Sequence, residues 1–325
     1  MCVRQSAIDV PVRISSWPNP NYFKRRILYG RGTLFRRFPD DNFVIVEKIL
    51  LRWACGLQSL PTMATTHTEM QSWERAEIAR SSVEATLTAD AALRVTTGTF
   101  ARYEKPPADT LYPLEYAYHL LGDVAGKRIV DFGCGSGANT ALLTNRGAHV
   151  WGVDISEDLI RLAQRRLKIS GREGGAQFIV GSAHDLPFPD RSIDIVFGIA
   201  ILHHLDLQLV AREVHRVLKP GGRAIFQEPV RNSRLIRFVR SLIPYRAPDI
   251  SPFERPLTDG EVRTFAEPFS SSRVRPFLLP HVQLGQVLPV VKNHWQRLYA
   301  IDGALLRSVP ALQHFAGIRV IEVTR

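Results

Sequence analysis

Cysteine is scarce in this 325-residue chain: Cys2, Cys55 and Cys134 are an odd number at wide spacing. They offer neither a disulfide framework nor a zinc-ligand pattern, so no metal site is expected. A reducing compartment suits such usage. No run approaches the ~18 apolar residues that a spanning helix needs. A basic start followed by an apolar run and a small-residue cleavage site is also missing, so a secretory signal is not expected. Asp9, Asp40, Asp41 and Glu47 argue against a transit peptide, which is poor in acids. The sequence therefore predicts a cytoplasmic protein.

What is present is ordinary globular material, 45% apolar, with length for one large α/β domain plus appendages. The net charge of +11 is unevenly spread: residues 1–62 carry +6, residues 63–228 carry −2 and residues 229–325 carry +7. A basic surface attracts nucleic acid, anionic lipid or an anionic small molecule, or is simply solvated. Residues 1–62, rich in Pro, Arg and aromatics, read as a basic extension or as sequence upstream of a start at Met63. The expected folded domain is residues 63–325, with its regularly alternating core over 110–228 and a cap with the last strands over 229–325.

Helical periodicity runs from Glu69 to about Ala92 and again over Leu114–Leu121. The rhythm then changes. Short apolar strands are predicted at 127–132, 148–153, 176–180, 193–198 and 223–227, separated by helices at 138–145, 157–168 and 207–218. Ser156 reads as an N-cap followed by Glu157 and Asp158, which suit the helix dipole. Lys219-Pro220-Gly221-Gly222 reads as a breaker and turn. Later, Thr258 and Glu261 have capping-box spacing, 273–277 and 318–323 read as the last strands, and 281–312 as mostly helical. Strands alternating with helices imply a doubly wound, mostly parallel Rossmann-like α/β sheet with helices on both faces. Ligands on such sheets lie beyond the carboxyl ends of the strands.

The first such loop is Asp131-Phe132-Gly133-Cys134-Gly135-Ser136-Gly137. Glycines let backbone approach a ligand, and the helix that follows points its amides at an anionic group. Gly133, Gly135 and Ala138 also satisfy the dinucleotide pattern G-x-G-x-x-G/A. Asp154 follows Asp131 by 23 residues and ends the second strand, where an acid can accept from ribose hydroxyls. S-adenosyl-L-methionine (SAM) and NAD fit these two features equally.

Further segments narrow the choice. Val130–Gly137 resembles motif I of class I SAM-dependent methyltransferases. Gly181–Phe188 resembles the adenine-side loop after strand three, Ile193–Leu205 resembles strand four and its exit, and Glu213–Gly222 resembles the helix and turn before strand five. The similarity is greatest to the small-molecule subgroup that contains the ubiquinone/menaquinone C-methyltransferases. It implies a seven-stranded sheet and S-adenosyl-L-methionine as cofactor, held by the loop from Asp131 through Gly133, Cys134, Gly135 and Gly137. It further implies Asp154 at the ribose, Ile155 against the adenine, Ser182, Ala183 and His184 along the adenine edge, and Ala200 near the methionine part. In the family an acid often stands where this chain has Ser182, and accepts from the adenine amino group. Asp185 is three positions late for that role.

Methyl transfer from a sulfonium asks chiefly for alignment, but an acidic hydroxyl or activated carbon also needs a base. His203 and His204 leave strand four on the substrate side and are the candidates. No Asn-Pro-Pro-aromatic segment follows strand four, which argues against methylation of an adenine amino group. Residues 63–125 and 229–315 are expected to select a small-molecule substrate. Their Arg and aromatic content suits an apolar or aromatic acceptor with an acidic group. The basic segment 231–243 suits contact with an anionic membrane surface. An NAD-dependent oxidoreductase and a SAM-binding protein without catalysis, or acting on RNA, are the rival readings. No RNA-binding module is visible, so nucleic acid is not an expected partner.

Overall fold

In the computed structural model the described residues are 67–233, 255–282 and 294–325. The basic extension 1–62 and almost all of segment 231–243 lie outside them. The chain enters through helices α1 (His67–Leu87), α2 (Asp90–Leu93), α3 (Thr97–Glu104) and α4 (Pro113–Leu121). The sheet domain follows as β1 (Arg128–Phe132), α5 (Ala138–Asn145), β2 (His149–Asp154), α6 (Glu157–Ile169), β3 (Ala176–Val180), β4 (Ile193–Ile199), a 3-10 turn (Leu202–His204), α7 (Leu207–Val217) and β5 (Leu218–Pro229). It ends with α8 (Asp259–Ala266), β6 (Ser271–Phe277), α9 (Trp295–Ser308), a 3-10 segment (Pro310–Phe315) and β7 (Ile318–Thr324).

The seven strands lie in the order β3-β2-β1-β4-β5-β7-β6. The pairs β1–β2, β1–β4, β2–β3 and β4–β5 are parallel, and β7 is antiparallel to both β5 and β6. The predicted doubly wound, seven-stranded sheet is what the chain forms. Each face of the sheet carries its own core. One packs Ile129, Val150, Ile195, Phe197 and Ile225 against Tyr118 and Leu121 of α4 and Leu143 of α5. The other packs Val130, Phe132, Val196 and Phe226 against Val210 and Val214 of α7 and Phe265 of α8. Phe226 sits between Phe132 and Phe265 with its ring edge-on to both, at 5.9 and 5.4 Å between centroids. Each such aromatic pair adds about 1 kcal/mol to what area burial supplies.

Local signals hold where they rest on capping. The Ser156 hydroxyl accepts from Leu159 N–H, and Thr258 and Glu261 form the reciprocal capping box. Three expectations need correction. The helix predicted over 69–92 is broken, because Ala89 is extended (φ −78°, ψ 152°). Helix α3 was not expected, since Thr97, Gly98 and Thr99 are poor helix formers; the Thr96 hydroxyl accepts from Thr99 N–H and starts it. Lys219–Gly222 does not precede the fifth strand but lies within it. Pairing steps from Ile193↔Leu218 to Ile195↔Arg223, so the extra residues bulge out of the strand. Of the stretch 281–312, residues 283–293 lie outside the described part.

Candidate functional site

Because β3, β2, β1 and β4 are neighbours and run parallel, their exits form one row at the carboxyl edge of the sheet. Four loops meet there: the glycine loop, Asp154, the segment from Ser182, and the turn with His203 and His204.

The glycine loop is tied down by its neighbour strand. Gly133 N–H and Cys134 N–H both donate to Val153 O (2.9 and 3.0 Å), and Gly137 N–H donates to Cys134 O. Gly137 has φ +76°, and a Cβ there would lie 2.6 Å from the Ala163 methyl of α6. It is thus required for packing. Gly135 differs: φ is +52° and a Cβ would meet nothing within 4 Å. Its open side leaves the backbone there uncovered by side chains. Arg166 of α6 braces the loop from behind, donating to Ser136 O (2.7 Å), Ser136 Oγ (3.1 Å) and Leu93 O (3.1 Å).

Asp131 is fully buried and accepts from the Thr140 hydroxyl. Burial pushes its carboxyl up to about 7, Thr140 opposes the rise and the charge of Asp154 adds to it. Burial likewise pushes the Cys134 thiol up, so it is a packing group and not a nucleophile. Asp154 carries the bridge between loops: Gly135 N–H donates to Oδ2 at 2.8 Å and Ser156 N–H to Oδ1 at 2.9 Å. A carboxylate has about four lone-pair sites, and one at this strand exit suits acceptance from a vicinal diol. Ile155 beside it is half-buried.

The segment after β3 is held by side chains. His184 N–H donates to Ser182 Oγ (3.2 Å), and Asp206 N–H donates to His184 Nε2 (3.1 Å). Ser182 Oγ in turn donates to Glu74 Oε1 of α1 at 2.8 Å. Ala183 is half-buried against the α7 face, and Asp185 is exposed. Beyond β4, Ala200 takes the left-handed conformation (φ +56°). It is held there by its N–H to Gln227 O (2.8 Å).

The turn that follows is built on Glu228, whose side chain is fully buried at the end of β5. Its Oε1 accepts from Ile201 N–H and Leu202 N–H, both at 2.8 Å, and its Oε2 lies 2.8 Å from His203 Nδ1. An acceptor-only carboxylate assigns the proton to Nδ1 and leaves the lone pair on Nε2. That Nε2 is buried and has no hydrogen-bond partner. The His204 ring packs on His203 at 4.1 Å, and its Nδ1 lies 3.7 Å from Glu77 of α1.

All the sequence-predicted residues thus fall at the carboxyl edge of the sheet. Glu74, Glu77, Thr140, Arg166 and Glu228 were missed. Only Glu228 had a signal, as an acid at the end of a buried strand. The others come from helices whose approach no local pattern announces. Among the described residues no cluster of His, Cys, Asp and Glu could hold a metal ion.

The family described as "Methyltransferase domain" matches residues 130–226. Fatty-acid O-methyltransferase of Mycolicibacterium smegmatis is 38% identical over 109 residues, 33% of this chain and 38% of that protein. Demethylmenaquinone methyltransferase of Tropheryma whipplei is 34% identical over 137 residues, 42% of this chain and 56% of that protein. A geranyl diphosphate methyltransferase solved with SAM aligns at a TM-score of 0.46 and 20% identity, over 70% of this chain and 90% of that one. The chain therefore spans between a third and somewhat over half the length of those two curated relatives. Residues 130–226 thus carry a match to a methyltransferase domain, and the relatives that align over that stretch are methyltransferases. Demethylmenaquinone methyltransferases and a fatty-acid O-methyltransferase are among those relatives. The oxidoreductase and RNA readings are not favoured.

Proposed function

We propose that this protein transfers a methyl group from SAM to an apolar or aromatic small molecule whose acceptor atom must lose a proton. The bridge from Asp154 to Gly135 N–H, in front of the open side of Gly135, is the observation that carries the cofactor site. Gly133, Gly135 and the start of α5 would face the amino-acid end, where helix amides favour a carboxylate. Asp154 would accept from the ribose hydroxyls, with Ile155 against the base and Ala183 and His184 along its edge. Ala200 would border the methionine part. The cofactor supplies an electrophilic methyl on a sulfonium.

The chain's own chemical contribution is a proton acceptor. Glu228 orients His203 and keeps Nδ1 protonated, so Nε2 is the basic atom. His203 takes the acceptor's proton, and Glu228 stabilises the imidazolium that results. His204, whose ring is tilted against it at 4.1 Å, is the alternative base. A fatty acid, named for one relative, or the reduced form of a demethylmenaquinone, named for another, would each present such a proton on an apolar body. Among the described residues no helix is long and apolar enough to cross a membrane. We further propose that Arg234, Arg237 and Arg240 help the protein meet anionic membranes that hold such acceptors. If the chain without these arginines sediments with anionic vesicles as well as the intact chain does, that contact is wrong.

The test of the reaction is to incubate the purified protein with methyl-labelled SAM and separate panels of long-chain carboxylic acids, phenols, quinols and RNA. Label is expected in an acidic, apolar small molecule. Label in RNA alone, or no transfer despite SAM binding, contradicts the proposal.

A further inference from the structure

Helix α1 lies outside the matched domain yet reaches the cofactor edge with two carboxylates on one helix face. Glu74 meets the β3 exit and Glu77, three residues on, meets the β4 exit at His204. A third tie, Ser82 Oγ to Asp158 Oδ2 at 2.6 Å, fastens α1 to α6. Leu93, just beyond α1 in α2, closes a small apolar cluster with Leu159 and Leu162, against which Ala85 of α1 packs.

Asp206 N–H donates to His184 Nε2, so the ring proton of neutral His184 is on Nδ1. Burial lowers the pKa of His184, which favours this neutral form. Nδ1 lies 3.3 Å from Ser182 Oγ, which also accepts His184 N–H. Both lone pairs of the Ser182 hydroxyl are therefore engaged and its proton goes to Glu74 Oε1. Ser182 has no acceptor capacity left for a ligand. The acceptor at this spot is Glu74, whose contacts with Ser182 and His184 both run through Oε1.

Position decides which part of the ligand Glu74 would meet. Asp154 and Val180 are paired across β2 and β3, and Ser182 lies just beyond. Strand exits are spaced by about 4.8 Å. A ligand with its amino-acid end at the β1 exit and its ribose at the β2 exit therefore brings its base to the β3 exit. We propose that Glu74 reads the exocyclic amino group of the adenine, so that docking of α1 and binding of the cofactor are one coupled event. The cofactor site then includes a residue delivered from outside the domain that carries the glycine loop. This rests on the methyltransferase reading.

The experiment is a calorimetric titration of the full chain with S-adenosylhomocysteine and with S-inosylhomocysteine, in which a carbonyl replaces the amino group. The wild type is expected to prefer the adenosyl compound at least about tenfold, as one charged hydrogen bond warrants. Glu74→Ala should lose about that factor for the adenosyl compound and nearly all discrimination. Glu74→Gln, whose amide can donate to the inosyl carbonyl, should narrow the preference while keeping the shape of the side chain. Ser82→Ala, which removes the tie of α1 to Asp158 of α6, should retain the preference. Retained discrimination in both Glu74 variants overturns the proposal, as does equal collapse in Ser82→Ala, which would assign the effect to helix docking alone. Failure of the wild type to bind either compound overturns the cofactor assignment beneath it.

Discussion

Asp131 illustrates what one buried carboxyl does to the molecule. Its folded-state pKa is raised from 3.8 to about 7, so between those values the folded chain binds the proton more tightly than the unfolded chain. Stability from this group is present below about pH 4 and is lost as the pH rises through 7. A shift of about three units corresponds to about 4 kcal/mol. Asp131→Asn, which keeps a partner for Thr140, is expected to raise the Tm of the cofactor-free protein at pH 8 and to leave it nearly unchanged at pH 4. Thermal unfolding at the two pH values checks this, and an equal effect at both would contradict it. At His203 the expectation is kinetic. His203→Ala should lower kcat about 10²–10⁴-fold while the affinity for S-adenosylhomocysteine stays within a few-fold. A parallel loss of affinity would make His203 a binding residue instead.

Among the elements, the glycine loop and helix α6 are a matched pair. Gly137 abuts Ala163, and Arg166 three residues further on holds Ser136. Gly137→Ala adds a left-handed Ala and a methyl at 2.6 Å, together about 2 kcal/mol or more. Denaturant unfolding should show that loss, whereas Gly135→Ala should unfold closer to the wild type and show its defect in cofactor affinity. The strands and helices from 127 to 227 were legible because buried parallel strands read as short apolar runs and their helices as amphipathic ones. The caps at Ser156 and Thr258 were legible because they are local. The break at Ala89 and helix α3 were not, because nothing in the periodicity marks an extended Ala89, and the weak propensity of Thr97, Gly98 and Thr99 hides a helix started by the Thr96 cap. The bulge in β5 was read as a turn because Pro220-Gly221-Gly222 has the chemistry of both.

On the scale of the whole molecule, the strand order made the site legible in part. Knowing that ligands sit beyond parallel strand ends was enough to bring together the glycine loop, Asp154, Ser182 and the two histidines. It could not show that Glu228 arrives under His203 from the next strand, or that α1 lays Glu74 against Ser182, since both contacts join residues distant in sequence. The glycine loop and Asp154 alone left SAM and NAD equally open. In the sequence they were set apart only by the resemblance of the segments after β3 and β4 and before β5 to methyltransferase motifs. The most direct measurement is a calorimetric titration of the purified chain with S-adenosylhomocysteine and with NAD. Saturable binding of the first, weakened about a hundredfold in Asp154→Ala by loss of two charged hydrogen bonds, together with no binding of NAD, is the predicted result. Binding of NAD without S-adenosylhomocysteine would contradict the account.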